Sequence, residues 1–172
     1  PRRGYRRPEF RVFFQPQPKR WPWIRRIAPH LTYNSFYDFD GELQTENWHI
    51  HAFEIQPRQG GRFGWFVDYA KDNPTAPFTV YNRDGRRVTI PVGNYEWAQH
   101  VFEYLHNPSS RVTGTIRYRI GNYYDGDFNG FDITSDYRIP PKATASLGWT
   151  RQDIKLPYGN FVNNLIPIKA NY

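Results

Sequence analysis

RVTGTIRYRI, residues 111–120, is the stretch whose reading decides the fold. Val112, Gly114, Ile116, Tyr118 and Ile120 fall on one parity, and Arg111, Thr113, Thr115, Arg117 and Arg119 on the other. Successive strand side chains point to opposite faces, so this is a strand with one apolar face and one cationic, hydroxylated face. The pattern continues toward the C-terminus. Phe131, Ile133, Tyr137 and Ile139 alternate with Asp132, Thr134, Asp136 and Arg138. Ala143, Ala145, Leu147 and Trp149 oppose Thr144, Ser146, Thr150 and Gln152, and Val162, Ile166, Ile168, Ala170 and Tyr172 oppose Asn163, Lys169 and Asn171. These amphipathic strands need a cover for their apolar faces. Either the core of a soluble sandwich or the hydrocarbon around a membrane barrel supplies one.

Working back toward the N-terminus, Leu31, Tyr33 and Tyr37 alternate with Thr32, Asn34 and Phe36 before a turn at Asp40-Gly41. Leu43 to Ile55 returns as a long strand with Trp48, Ile50 and Ala52 on one face. Phe63, Trp65, Val67 and Tyr69 form another strand; Ala98 to Leu105 follows, with His100, Phe102 and Tyr104 opposed to Gln99 and Glu103. No helical periodicity competes. The reading is an all-β chain: an antiparallel up-and-down meander of about eight strands over residues 30–172, forming part or all of a transmembrane β-barrel. Residues 1–29 read as a basic leader rich in proline and aromatics. Prolines at 8, 16, 18, 22 and 29 leave room there for no more than a short edge strand around Phe10 to Phe14.

Composition narrows the function classes. The net charge of +7 is local: residues 1–26 hold eight Arg and one Lys against one Glu, a net of +8, and the remainder sums to about −1. The net basicity belongs to the leader and not to the strand region as a whole, so nucleic acid is not the expected partner, although the leader itself suits RNA or phospholipid headgroups. Without cysteine, disulfides and thiolate chemistry are excluded. No run of 18 apolar residues exists, which excludes a transmembrane helix but not a barrel, where only alternate residues are apolar. A chain that starts at Pro1 and contains no Met reads as a processed piece or part of something longer.

Loop lengths favour the membrane reading. After the first turn the expected connections sort into short ones at Pro57 to Gly61, Asn107 to Ser110 and Pro140-Pro141, and long ones at Asp72 to Trp97, Gly121 to Gly130 and Asp153 to Asn160. Outer-membrane barrels have short turns at one end and long loops at the other. Aromatics such as Tyr37, Trp65, Tyr69, Tyr104, Tyr118, Tyr137 and Trp149 near strand ends suit the girdles of such a barrel. On this reading Val112, Ile116, Tyr118, Ile120, Ile133, Tyr137, Leu147, Trp149, Ile166 and Ile168 face lipid. Arg111, Thr113, Thr115, Arg117, Arg119, Asp132, Thr134, Asp136 and Arg138 face the lumen, where such charges either line an aqueous path or, as the interleaved signs favour, pair across strands and fill a narrow or plugged barrel.

A resemblance points the same way. Tyr123-Tyr124-Asp125-Gly126-Asp127, Pro140-Pro141, the run Thr150 to Pro157, Gly159-Asn160-Phe161 and the strand Leu165 to Tyr172 resemble the C-terminal half of a family of bacterial outer-membrane proteins of unknown function. Asp40-Gly41-Glu42-Leu43-Gln44 with Asn47-Trp48, and Ile90-Pro91-Val92-Gly93-Asn94-Tyr95, are similar too. In that family a carbohydrate-binding-module-like domain precedes a large β-barrel, and members are often labelled hydrolases. The resemblance implies an outer-membrane location, lipid as the neighbour, glycans and further subunits as partners, and strands beyond Tyr172. The alternative is that Tyr172 is the true end, a terminal aromatic of the kind that barrel-assembly machinery reads.

Chemistry is sparse. Asp125, Asp127 and Asn129 stand at the first, third and fifth positions of a calcium-loop spacing, with Gly130 at the sixth and Asp136 at the twelfth; calcium is the one cofactor this implies. Against it stand the Asp at the twelfth position and the flanking strand patterns. His49 and His51 share a strand face and offer two nitrogens to a metal, with no third ligand identifiable. Asp38, Asp40 and Glu42 crowd into one turn and solvate it rather than pair across a cleft. No nucleophile elbow, phosphate loop or zinc-protease motif occurs, so the chain reads as a structural or transport barrel rather than an enzyme. The competing readings are a carbohydrate-active hydrolase whose active part lies elsewhere, and a soluble basic β-module that binds polysaccharide or nucleic acid.

Overall fold

The computed structural model describes residues 4–139 and 143–171; the Pro140-Pro141 connection and the terminal Tyr172 lie outside them. The strands are β1 (Glu9–Phe13), β2 (Ile24–Ile27), β3 (His30–Tyr37), β4 (Leu43–Pro57), β5 (Arg62–Asp72), β6 (Phe78–Arg83), β7 (Arg86–Ile90), β8 (Tyr95–Leu105), β9 (Val112–Tyr123), β10 (Gly126–Ile139), β11 (Ala143–Leu156), β12 (Gly159–Leu165) and β13 (Ile168–Asn171). No helix occurs among the described residues.

The main sheet is an antiparallel ladder in the order β1-β3-β4-β5-β8-β9-β10-β11-β12, joined by β2 and β13, while β6 and β7 form a separate hairpin. The count therefore exceeds the eight expected. Among the described residues the two ends of the ladder do not pair, so the sheet is open and no closed barrel is formed. Two pairs of strands lie end to end. Ile27 pairs with Ile55 and His30 with His51, so β2 and β3 lie in succession along β4. Leu165 faces Thr150 and Ile168 faces Leu147, so β12 and β13 trace one line along β11. The break falls at Pro167, which has no N–H to donate but whose carbonyl still accepts from Gly148 N–H at 2.9 Å. The segment before Pro29 thus contributes two strands, β1 being the short edge strand its prolines left room for.

The expected contrast of short and long loops does not survive. Strands β9, β10, β11 and β12 run into the segments read as longer connections, leaving two-residue turns at Tyr124-Asp125 and Pro157-Tyr158. Gly126 to Gly130 stays extended because both neighbours satisfy its backbone, Asp127 facing Asn122 on one side and Lys155 on the other. One long connection remains, residues 73–94, and it contains the β6–β7 hairpin. That hairpin turns at Asp84-Gly85 with φ of 54° and 73°, as a type I′ turn requires. Its Val88 and Ile90 pack with Tyr124, Phe128, Ile154, Leu156 and Phe161 into an apolar cluster at the strand ends beside the two-residue turns. Tyr124 holds φ at 53°, strained for a bulky residue, with its ring buried in this cluster.

The parity along β4 changes once. Ile50 pairs with Val67 but Phe53 with Trp65, so His51 and Ala52 together oppose Phe66 in a β-bulge. Phe53, rather than Ala52, continues the face of Trp48 and Ile50, and Glu54 joins His49 and His51 on the other.

Away from the hairpin cluster, the sheet buries several polar side chains and exposes many apolar ones. On β8, Gln99, Val101 and Glu103 are buried while His100 and Phe102 are exposed. Thr113 is 6% exposed and its neighbour Val112 53%. Glu103, Gln99 and Thr113 are buried on the polar face together with Val101 and Phe66, while Phe102, Val112, Ile116 and Leu147 are exposed on the other.

Candidate functional site on the polar face

The register places the two predicted sets on opposite faces of one sheet. Thr113 faces Asp136, Thr115 faces Thr134 and Arg117 faces Asp132; Asp132 in turn faces Thr150 and Arg138 faces Thr144. Arg119 shares that face with its guanidinium 5.8 Å over the Phe128 ring. Arg111 sits just before β9, where its carbonyl accepts from Arg138 N–H at 2.8 Å, and Arg138 Nη1 donates to the Pro108 carbonyl at 2.7 Å. On the other face Ile116, Ile133 and Trp149 stand in one row, Val112 faces Tyr137, Tyr118 faces Phe131 and Leu147 faces Ile168. Ile120, Ile166 and Ile168 are exposed there.

The centre of the polar face is Glu103, a residue whose role composition does not disclose. Its carboxylate, with a side chain 2% exposed, accepts from Arg62 on β5 and from Arg117 on β9, the latter through Nε at 3.0 Å. Two guanidiniums on flanking strands compensate one buried charge, the arrangement that makes such a carboxylate tolerable. Arg117 is visible as a candidate in sequence; which acid meets it depends on pairing across the long 73–94 connection.

Beneath the β6–β7 hairpin lies a cavity of about 290 Å³ on this same face, lined in part by Trp97, Gln99, Arg119, Tyr123, Gln152 and Asn163. Tyr124 closes the strand end, donating to Asp72 at 2.7 Å; burial, then the Asp72 carboxylate, pushes its phenol well above the ordinary value. On the adjacent turn Tyr158 donates to Asp125, and that hydrogen bond raises its phenol likewise.

The calcium-spaced residues do not converge. Gly126–Ile139 is one continuous strand, so Asp127 and Asn129 point to the face opposite Asp136, about 30 Å from Asp127 along the chain. Asp125 lies in the turn with Tyr158 as its partner. Asp38 caps its own turn, accepting from Glu42 N–H at 2.8 Å and Gln44 at 3.1 Å. His49 and His51 do acquire a third histidine, His30, one nitrogen from each ring lying within 4.8 Å of the others. The register delivers it: His30 is directly opposite His51. Nothing in the leader-strand boundary at Pro29 marks His30 as a partner.

Polar tips on the apolar face diverge toward the two strand ends. Trp48 Nε1 donates to Glu46 at 2.7 Å, Tyr69 OH to Glu96 at 2.9 Å, and Tyr118 OH accepts from Asn129 at 3.1 Å, all toward the end carrying the hairpin. Tyr104 OH meets His106 Nδ1 at 2.8 Å toward the other end. Beyond Phe131 and Trp149 the same face turns charged, with Asp127 facing Lys155 and Arg151 and Asp153 along β11.

No protein-family model matches the chain, no curated protein matches it as a relative, and no solved structure matches its fold.

Proposed function

We propose that the chain builds the wall of a bacterial outer-membrane β-barrel, with its apolar face against lipid and its polar face inward. The observation that carries this is the inverted burial, Glu103 inside and Phe102 outside on adjacent positions of β8. Water gives no driving force for exposing a continuous aromatic and aliphatic face while burying a carboxylate; hydrocarbon does. The dimensions agree. From Phe131 to Ile139 the outward row of β10, apolar but for Ser135, covers roughly 27 Å, or about 20 Å across at a barrel tilt of ~40°, close to the ~25 Å band of such barrels. The divergent Trp48, Tyr69, Tyr118 and Tyr104 tips are placed as interfacial girdles are.

The role is structural rather than that of an open pore. Arg62, Glu103 and Arg117 fill the inner face, and the β6–β7 hairpin packs over its end. The cavity beneath the hairpin, with Trp97 and Tyr123 beside Gln99, Gln152 and Asn163, has the aromatic and amide lining that suits a glycan. The barrel closes when the β1 and β12–β13 edges pair with further strands, since unpaired edge groups are not tolerated in lipid. The test is a variant keeping only Trp65 and Trp149, with the other tryptophans replaced by Phe, refolded into vesicles whose acyl chains carry bromine. Strong fluorescence quenching is expected. A folded monomer in aqueous buffer without detergent, and no quenching in vesicles, would overturn the reading.

A further inference from the structure

We propose that His30, His49 and His51 form a binding site for a first-row divalent transition metal, zinc being the reference ion, on the polar face of the sheet. The site follows from the pairing of β3 with β4, whatever surrounds the outer face. His49 and His51 are two apart and share a face, and His30 stands across the ladder from His51.

The hydrogen bonds around His30 and His49 assign their free lone pairs. His30 Nδ1 lies 3.1 Å from the Ala28 carbonyl, which only accepts, so Nδ1 carries the proton and Nε2 is the ligand atom. That Nε2 is 3.3 Å from His51 Nδ1. A tetrahedral zinc with bonds of about 2.0–2.1 Å sets neighbouring nitrogens about 3.3–3.4 Å apart, so the spacing suits one edge of the polyhedron, with zinc taking the place of the proton that His51 Nδ1 shares with His30 and Glu54. His49 Nδ1 lies 2.6 Å from Asp68 Oδ1, which leaves Nε2 as its donor and supplies the carboxylate–histidine–metal relay that orients and strengthens such ligands. All three ligand nitrogens lie within 4.8 Å of one another, and the His49 side chain, 35% exposed against 4% for His51, has the freedom to close on the ion.

A second observation concerns charge. Glu54 is buried beside the rings, with Oε2 3.2 Å from His51 Nδ1. Among the described residues its other side-chain partner is the neutral Gln56, whose own oxygen accepts from Arg25 and Arg26. A carboxylate at this depth calls for a positive charge, and a divalent ion among the imidazoles supplies it, with Asp68 balancing the second charge. The bulge at His51-Ala52 brings Glu54 onto this face, and Gly64 opposite Glu54 leaves the room that His51 occupies: a Cβ at Gly64 would stand 2.7 Å from His51 Nε2. Nitrogen donors with a nearby carboxylate select zinc, nickel or copper over calcium or magnesium.

Zinc chloride titrated calorimetrically into the folded, EDTA-washed chain in detergent should show one equivalent bound. Copper(II) at the same site should give nitrogen hyperfine splitting in its electron paramagnetic resonance spectrum. His30→Gln and His49→Gln each remove one ligand at a less buried position than His51 and should weaken zinc at least tenfold. Asp68→Asn should weaken it about tenfold through ligand basicity, and His100→Gln and His106→Gln should leave it unchanged. Circular dichroism confirms folding for each. No binding by the folded wild type, or full affinity in the doubly substituted His30→Gln, His49→Gln chain, would overturn the proposal.

Discussion

Strands β8 to β11 and strands β2 to β4 belong to one sheet but are built differently. From β5 across to β11 the pairings run without a register shift, so the faces follow strict parity from one end of each strand to the other. Around β4 the ladder shifts three times, between Ile24 and Arg26, between Phe36 and Tyr37 and between Ile50 and Phe53. The regular part makes a wall, and its polar side chains are spread along it as ion pairs and hydroxyl rows. The irregular part gathers His30, His49, His51 and Glu54 into one place. Bulges re-aim side chains, and here one brings together residues that strict alternation would keep on opposite faces.

The sharpest way to break this comparison is to delete one residue in each part. Deleting Ser135 from β10 inverts the parity of everything after it, sending Tyr137 and Ile139 inward and Asp136 and Arg138 outward; assembly should be abolished. Deleting Ala52 should regularise the β4 ladder and leave Phe53 outside and Glu54 inside, so the chain should still assemble. Detergent-resistant heat-modifiable folding on gels reads both, and equal damage from the two deletions would remove the distinction.

Smaller effects sharpen the facing assignment. Ile116→Arg should destabilise by roughly 2–4 kcal/mol if Ile116 sits at mid-bilayer, and Thr115→Arg far less. Equal urea midpoints for the two in vesicles would count against the assignment. Glu103→Gln leaves Arg62 and Arg117 facing each other across a buried amide and should cost about 3 kcal/mol, the scale of breaking a buried pair. The same denaturation series measures it, and a loss below that of Thr115→Arg would show that the pair is solvated. Smallest is Gly64→Ala, which crowds His51 and should cost about 1–2 kcal/mol; an unchanged midpoint would mean that the ring moves freely.

The legible and illegible features differ in range. Alternation from Arg111 to Ile139 is a local signal, and it carried the all-β class and the two faces. The Asp84-Gly85 hairpin is also a local signal, since Asp-Gly between apolar alternations marks a type I′ turn, yet the segment reads as a plain long connection when only loop length is considered. Loop lengths misled because strand ends depend on partners. Gly126 to Gly130 is rich in turn formers, but neighbours on both sides keep it extended. The calcium spacing failed for the same reason, a strand placing Asp127 and Asp136 on opposite faces.

By itself, then, the sequence determined the all-β class, the apolar and polar parities, and the confinement of net positive charge to the first residues, because each is a property of neighbours along the chain. Tertiary structure decided the rest: the open ladder of more than eight strands, the Arg62–Glu103–Arg117 pairing, the bulge at His51-Ala52 and the meeting of His30 with His49 and His51. These depend on register between strands, and register is set by the whole sheet, by where each strand can satisfy its backbone against the next. No single stretch contains that information.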